Sequence, residues 1–446
     1  MSRYDDLIKT GCCPYPARTR ISHSISQALL LPDQSEPISV AGRMVSLDRE
    51  NHSGVLLDAN GSLPFATQCL PDSGVWPLLA LNDIVACTGI LQGGCLQLAG
   101  IELLAPCLDK ALPTIPAPSV TLRAALLRHV RRFFDKRGFL EVDTPTLMPV
   151  PDLTPALASF QTLFEDPSGH AFPLYLQTSP EHQMKRLLAA GYNRIYQICR
   201  FYRNGERYPT HHPEFTGLEW YEAYVDYGQV MRTTEELVAS FSVVLNGTCS
   251  VTYKDRVIDL SLPWPRITVR EAFQTNTGMD LDLCGTVDEF RGHASELGYE
   301  TREDDTWDDL FHRLFAHAVE PALPVDRPVF LMEYPANLPS LAKQKPDDKR
   351  YVERFELYIG GLELGNAFTE LNDPEEQRRR FDEQRAAKRE HDGYTGPVDE
   401  ALLAALRFGM PPAGGIALGV DRLLMLFADA STIDGVLPFQ DIRPPG

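Results

Sequence analysis

The chain has 446 residues and carries 61 acidic against 42 basic side chains, a net charge of −19. That length implies two or three domains with ample apolar material for a core, and the acidic balance speaks against a surface built chiefly to hold nucleic acid through phosphates. No apolar run approaches the ~20 residues of a membrane span, Met1-Ser2-Arg3-Tyr4-Asp5-Asp6 lacks a signal-peptide core, and nine scattered cysteines form no Cys-x-x-Cys pair, so a cytoplasmic protein with reduced thiols and no cysteine-held metal is expected.

The first elements in the chain are short strands. Ile38–Val45, Gly54–Leu57, Ile84–Gly89 and Leu96–Leu103 are apolar runs separated by turn signals, the pattern of a small barrel. Residues 1–109 hold 6 basic and 11 acidic side chains, a poor composition for a nucleic-acid groove. A proline-rich linker, 110–118, contains Pro113, Pro116 and Pro118. Beyond it Ser119 is placed to cap a helix whose apolar positions Leu122, Leu126, Val130, Phe133 and Phe134 recur at helical spacing. Gly138 ends it, and Phe139-Leu140-Glu141-Val142-Asp143-Thr144 reads as a strand stopped by Pro145. An ordinary buried helix–strand pair has the same pattern.

The chemistry-bearing residues follow. Thr178-Ser179-Pro180-Glu181 precedes the helix His182–Leu188. Arg203-Asn204-Gly205-Glu206 sets a permanent cation beside a carboxylate, with Phe215 a dozen residues on; guanidinium and ring together suit a nucleotide's phosphate and base, although Arg-x-x-Glu alone also describes a surface ion pair. Arg354–Ile359, Gly360-Gly361 and Leu362-Glu363-Leu364 form a predicted hairpin. Its two-residue turn sets Tyr358 opposite Glu363 and puts Glu356 diagonally across from Glu363, two carboxylates suited to a magnesium ion shared with phosphates, or else a pair of solvated glutamates. Asn366, Phe368 and Glu370 have the opposite parity, so a bulge near Gly365 is needed to bring both sets to one pocket. The densest basic run, Arg378-Arg379-Arg380 with Arg385, Lys388 and Arg389, is expected to be a solvated helix face. Last, Gly414–Asp421 leads Arg422 into the apolar helix Leu423–Phe427, a cation near a helix start where phosphates are favoured.

Together these segments resemble the class II aminoacyl-tRNA synthetases, and more narrowly their lysine branch. Ser119–Pro145 is similar to motif 1, Arg203–Tyr221 to motif 2 and Gly414–Phe427 to motif 3. The resemblance implies an α+β fold: an antiparallel sheet flanked by helices (119–446), preceded by an OB-like barrel (1–109) and the linker 110–118. It implies a homodimer formed through motif 1, ATP as substrate and Mg2+ as cofactor. It assigns Arg203 to the α-phosphate, Arg422 to the γ-phosphate, Phe215 to the adenine, Glu206 to its amino group or the loop, His211 to the terminal phosphates, and Glu356 and Glu363 to magnesium. Glu181 and Glu370 match two acids that select a doubly ammonium substrate; Ser179, Tyr221, Asn366, Phe368 and Ala417 complete that pocket. His212 stands where asparagine is usual.

Two related groups share this core: lysyl-tRNA synthetases, and the ligases that attach (R)-β-lysine to elongation factor P. Ser179 replaces an alanine and Ala417 a glycine of the synthetases, as in the second group. The barrel and the ending Pro438–Pro444 are similar to the first group, but the barrel's second strand has Gly54 for an aromatic and Pro64 near the place of a glutamine. The expectation is therefore an ATP-dependent ligase that activates lysine or (R)-β-lysine and passes it to a lysine of elongation factor P, its barrel a docking module. Charging of lysine tRNA is the alternative. A small-molecule amide ligase and a silent paralogue stay open, although intact Arg203, Glu356, Glu363 and Arg422 argue against silence.

Overall fold

The computed structural model describes residues 3–9, 12, 15–33, 36–59, 61–67, 75–108, 117–155, 157–393 and 396–439. The chain divides into two units, Met1–Thr121 and Leu122–Gly446. Most of the expected linker and the end of the chain, 440–446, lie outside the described residues.

The first unit opens with helices α1 (Arg3–Lys9) and α2 (Ile25–Leu29). Strands β1 (Ile38–Asp48), β2 (Ser53–Asp58), β3 (Gly61–Ala66), β4 (Ile84–Gln92) and β5 (Cys95–Ala105) close into a barrel in the order β1-β2-β3-β5-β4. Pro64 hides β3 from the sequence pattern. It is tolerated because β3 meets β5 only at Phe65 and Ala66, leaving Pro64 on an unpaired stretch of that edge. Gly54 is dictated by the same strand: a Cβ there would lie 2.5 Å from the Phe65 ring, which fills the barrel core. Asp83, fully buried, gathers the Arg3 guanidinium at 2.5 Å and the amides of Ala80 and Cys107 at 2.8 Å, tying α1 and the end of β5 to the turn before β4.

The second unit contains α3 (Ala117–Asp135) from Leu122 onward, β6 (Leu140–Glu141), a small sheet of β7 (Leu147–Met148), β8 (Gln161–Glu165) and β9 (Ala171–Leu176), then α4 (Glu181–Ala189), β10 (Arg194–Tyr202), β11 (Glu214–Ala223) and α5 (Tyr227–Asn246). The hairpin β12 (Ser250–Tyr253) and β13 (Arg256–Asp259) leads to β14 (Arg266–Thr268) and helices α6 (Val269–Thr277), α7 (Val287–Glu296) and α8 (Trp307–Leu314). The chain closes with β15 (Val329–Pro335), β16 (Tyr351–Ile359), β17 (Leu362–Thr369), α9 (Pro374–Asp392), α10 (Glu400–Gly409), β18 (Ala413–Gly419) and α11 (Val420–Phe427). Ser119 sits inside the first turn of α3, which begins at Ala117, three residues before the start that a cap at Ser119 implies.

The main sheet has eight strands in the order β14-β15-β16-β17-β18-β11-β10-β6, antiparallel except at its two edges. Period-two alternation sorts its faces. Phe355, Leu357, Ala367, Ile416, Leu418, Leu218, Trp220 and Tyr196 point one way into a core shared with Phe133 and Phe134 of α3, Phe241 of α5 and Leu424 of α11. The opposite face carries Glu356, Asn366, Ala417, Glu219 and Gln197, directly paired in one row across β16, β17, β18, β11 and β10. A large apolar layer thus holds rigid a sheet whose other side is free for chemistry.

The basic run on α9 is not an open phosphate-binding face. Arg378 pairs with Glu400 at 2.5 Å, Arg379 with Glu376 at 2.7 Å, Arg380 with Glu376 at 2.9 Å and Arg385 with Asp382 at 3.1 Å. Lys388 turns inward onto the carbonyls of Thr154 and Leu157.

Candidate active site

A cleft of about 1150 Å³ lies over the polar face of the sheet, roomy enough for a nucleotide and an amino acid. Every residue singled out from the sequence as a site candidate lines it: Ser179, Glu181, Arg203, Glu206, His211, Phe215, Tyr221, Glu356, Glu363, Asn366, Phe368, Glu370, Ala417 and Arg422.

At one end β10 and β11 pair Phe201 with Phe215, and just past β10 the Arg203 guanidinium stands 5.3 Å from the centre of the Phe215 ring. Its Nη1 is 3.8 Å from Glu206, a loose pairing that leaves the fork available, and its buried Nε has no partner. Arg422, in the first turn of α11, donates from Nη1 to the Glu363 carbonyl at 2.7 Å and from Nε to the Thr210 carbonyl at 3.2 Å. Its Nη2 lies 2.5 Å from His211 Nε2. Because an arginine only donates, His211 must accept there as a neutral imidazole. Burial, then Arg422 and Arg203, push the His211 pKa down to about 4, in agreement. His212, the departure from asparagine, is buried with Nδ1 2.7 Å from the Glu214 carbonyl and Nε2 without a partner, so it braces the loop.

The hairpin forms as its sequence requires. Gly360 and Gly361 take φ of 61° and 78°, both left-handed, and set Tyr358 opposite Glu363. The register then slips by one residue, so Leu357 faces Gly365 and Glu356 faces Asn366. This bulge brings Glu363, Asn366 and Phe368 to the same side as Glu356. Glu356 is nearly saturated: Tyr334 and Tyr358 donate to it at 2.6 and 2.7 Å, and Arg354 at 2.6 Å. Glu363 is more open, with Arg422 Nη1 at 3.4 Å from its carboxylate, and its pKa is raised by burial and then by Glu356 against the pull of Arg422. Among the described residues no three His, Cys, Asp or Glu side chains converge to hold a metal. The Glu356–Glu363 pair therefore fits a hard cation that takes its other oxygens from phosphates and water.

At the other end three carboxylates converge. Glu219 accepts from the Tyr221 hydroxyl at 3.1 Å; burial, then Glu181, push its pKa up to about 8. Glu370 is 1% exposed, and burial raises its pKa to about 7 against the pull of Lys185. Lys185, with no exposed side chain, places its ammonium 2.6 Å from Glu181 and 2.7 Å from Glu370. Glu370 meets the Lys185 ammonium through Oε2, which leaves Oε1 with acceptor capacity to spare. The Ser179 hydroxyl accepts from the Glu181 amide at 3.1 Å, fixing the start of α4. Ala417 stands between Asn366 and Glu219 in the cross-strand row, and Asn366 itself is held by Arg354 at 3.1 Å. Phe368 lines the cleft while packing on the core behind it.

Lys185, Glu219, Arg354 and Tyr334 were not read from the sequence as site residues. Strand parity was a signal that could have found two of them: Glu219 alternates with Tyr221, and Arg354 with Glu356. Lys185 sits one helical turn after Glu181, a spacing that most often describes a surface pair.

Residues 117–443 match the family described as tRNA synthetases class II (D, K and N). A lysine–tRNA ligase of Moorella thermoacetica is 40% identical over 322 residues, covering 72% of this chain and 65% of that enzyme. A lysine–tRNA ligase of Roseiflexus castenholzii is 33% identical over 496 residues, covering 100% of this chain and 98% of that enzyme. One from Chloroflexus aurantiacus is 33% identical, with 98% and 96% covered. No helix among the described residues is long and apolar enough to cross a membrane.

Proposed function

Because the chain belongs to the class II tRNA synthetases (D, K and N), we propose that it is an ATP-dependent ligase that activates lysine as an aminoacyl-adenylate and transfers it to tRNA. The observation that carries the choice of amino acid is the charge of the inner pocket. Three carboxylates, Glu181, Glu219 and Glu370, share one ammonium, Lys185, and burial raises Glu219 and Glu370 toward their protonated forms, so a substrate can bring two positive charges in place of those protons. Lysine brings two ammonium groups. A neutral amino acid would leave a buried carboxylate unpaired, at a cost of several kcal/mol.

In this reading the lysine carboxylate attacks the α-phosphorus of ATP in line. One P–O bond forms, the bond to pyrophosphate breaks, and no protein nucleophile is required. Arg203 takes the α-phosphate with its free fork, and Phe215 covers the adenine, whose amino group Glu206 meets. Arg422 trades its carbonyl partners for the γ-phosphate, with neutral His211 beside it. Glu356 and Glu363 would hold magnesium, which would supply neutralisation of phosphate charge. The protein's contribution is position and fixed charge.

Transfer to tRNA ranks first because relatives named for that reaction match through both units, barrel included. Transfer of (R)-β-lysine to a lysine of elongation factor P is a second reading. Ala417, its side chain in the cleft between Asn366 and Glu219, and the acidic first unit favour it. We also propose a homodimer: every residue of β8 is exposed, and Leu140, Leu147, Leu163, Phe164 and Phe172 leave an apolar surface around the motif 1 segment. The deciding experiment is pyrophosphate exchange with (S)-lysine and (R)-β-lysine, followed by transfer to lysine tRNA and to unmodified elongation factor P. Exchange with (S)-lysine and charged tRNA support the first reading; β-lysine on the protein acceptor overturns it.

A further inference from the structure

We propose that Lys185 is a positioning residue that fixes the charge the amino-acid pocket accepts: paired with Glu181 and Glu370, it leaves the carboxylate cluster room for two positive charges. This deepens the lysine-activation reading and rests on it. The geometry is unusual for an ion pair four residues apart on a helix. Such pairs normally lie in water and contribute little. Here the lysine has no exposed side chain, and its ammonium lies 2.6 Å from Glu181 on its own helix and 2.7 Å from Glu370 beyond the end of β17. A buried pair of this kind is a poor source of stability, since an apolar side chain of similar size would avoid the desolvation cost. Its effect falls instead on the carboxylates.

Without Lys185 the pocket would hold three acids and no cation. Burial already works against the charge of Glu219 and Glu370, and a further proton would settle in the cluster. The groups concerned are Glu181 and Lys185 on α4, Glu219 and Tyr221 on β11, and Glu370 after β17. His182 lies near Glu181, with Asp399 at 3.0 Å and Asp152 close by, and Cys199 on β10 lies near Glu219. A proton in place of the ammonium does not hold Glu181 and Glu370 at a set separation, and each arriving substrate must expel it. Lys185 thus holds Glu181 and Glu370 at a set spacing and supplies a positive charge that would otherwise be a proton, without touching the substrate.

The test uses the full-length enzyme and lysine-dependent pyrophosphate exchange between pH 6 and 8.5. In Lys185→Met, log KM for lysine should depend on pH more steeply by about one unit of slope, roughly an extra ten-fold per pH unit, because one more proton is displaced. The KM for ATP should not move, and Lys185→Arg should restore the wild-type slope. Lys185→Gln serves the same purpose if the methionine variant does not fold. A slope unchanged in the charge-free variant, or one that arginine does not restore, overturns the assignment. If the wild-type enzyme shows no lysine-dependent exchange, the lysine-activation reading itself has failed and takes this inference with it.

Discussion

The ring of Tyr221 occupies the space where a side chain on Gly415 would begin: a Cβ there would lie 2.3 Å from the ring and 2.5 Å from Glu370 Oε1. The two residues face one another across β11 and β18, so the bare backbone of Gly415 is what allows Tyr221 and Glu370 to share one pocket. Gly415→Ala should therefore push both aside. We expect KM for lysine to rise at least ten-fold while KM for ATP stays within about two-fold, the loss of a carboxylate contact being worth ~1.5–3 kcal/mol. Steady-state exchange kinetics measure both; equal effects on the two substrates would show a general collapse of the sheet instead.

Arg203 and Arg422 approach the cleft from different elements and are free to different degrees. Arg203→Ala should abolish adenylate formation, a loss of at least ~10²-fold as for other positioned charge donors, while the fold survives because the side chain makes only a loose ion pair. Arg422→Lys keeps the charge but loses the fork shared by the carbonyls of Glu363 and Thr210 and by His211. It should lower kcat more than it raises KM for ATP. Retained exchange in Arg203→Ala would refute the phosphate role.

Much of this site was legible in the sequence because strands alternate and hairpins have few turn types. Gly360-Gly361 fixed the pairing of Tyr358 with Glu363, and the parity conflict between Glu363 and Asn366 demanded the bulge that the structure places after Glu363. What escaped was contact between distant segments. Lys185 and Glu370 are 185 positions apart, and nothing local to α4 announces that its lysine points inward. The arginines of α9 were visible as a basic run, but their neutralisation by Glu376, Asp382 and Glu400 depends on side-chain pairing that helical spacing only partly reveals. Gly54 illustrates the converse: its lack of a side chain looked like a lost binding residue, and the Phe65 ring gives it a packing reason.

The raised acids predict how stability follows pH. Glu219, near 8, and Glu370, near 7, hold protons in the folded state that an unfolded carboxyl releases at its ordinary value of about 4.5. The folded chain thus binds more protons between those limits, so this part of its stability is complete below about 4.5 and is lost as pH rises through 7 to 8. Thermal melting without ligand should show Tm falling across that window. Saturating lysine should flatten the fall by supplying cations in place of protons, and Glu219→Gln should remove part of it. A Tm that rises from pH 6 to 8 in the absence of lysine would contradict the proposed proton inventory.

The apolar face of the sheet sets a different scale. Trp220, 1% exposed, packs at 5.2 Å between ring centres against Phe134 of α3. Truncation to alanine should cost about 3–5 kcal/mol, and the same strand carries Glu219 and Tyr221. Denaturant unfolding should show that loss, with lysine affinity falling alongside it because the carboxylate row loses its support.

Ala417 offers the sharpest test of which amino acid the cleft prefers. Its Cβ lies on the polar face between Asn366 and Glu219, at the junction of the carboxylate pocket and the hairpin acids. An added methyl there shortens the path between the α-carbon of a bound amino acid and the sheet, which disfavours an ammonium on that carbon and tolerates one moved to the next. Ala417→Gly restores the space. The ratio of kcat/KM for (S)-lysine to that for (R)-β-lysine should therefore rise by about ten-fold, a methyl-sized change in a close-packed pocket being worth ~1–3 kcal/mol. A ratio that does not move would detach Ala417 from specificity. It would also remove the main structural support for a protein acceptor and leave tRNA charging as the reading to pursue.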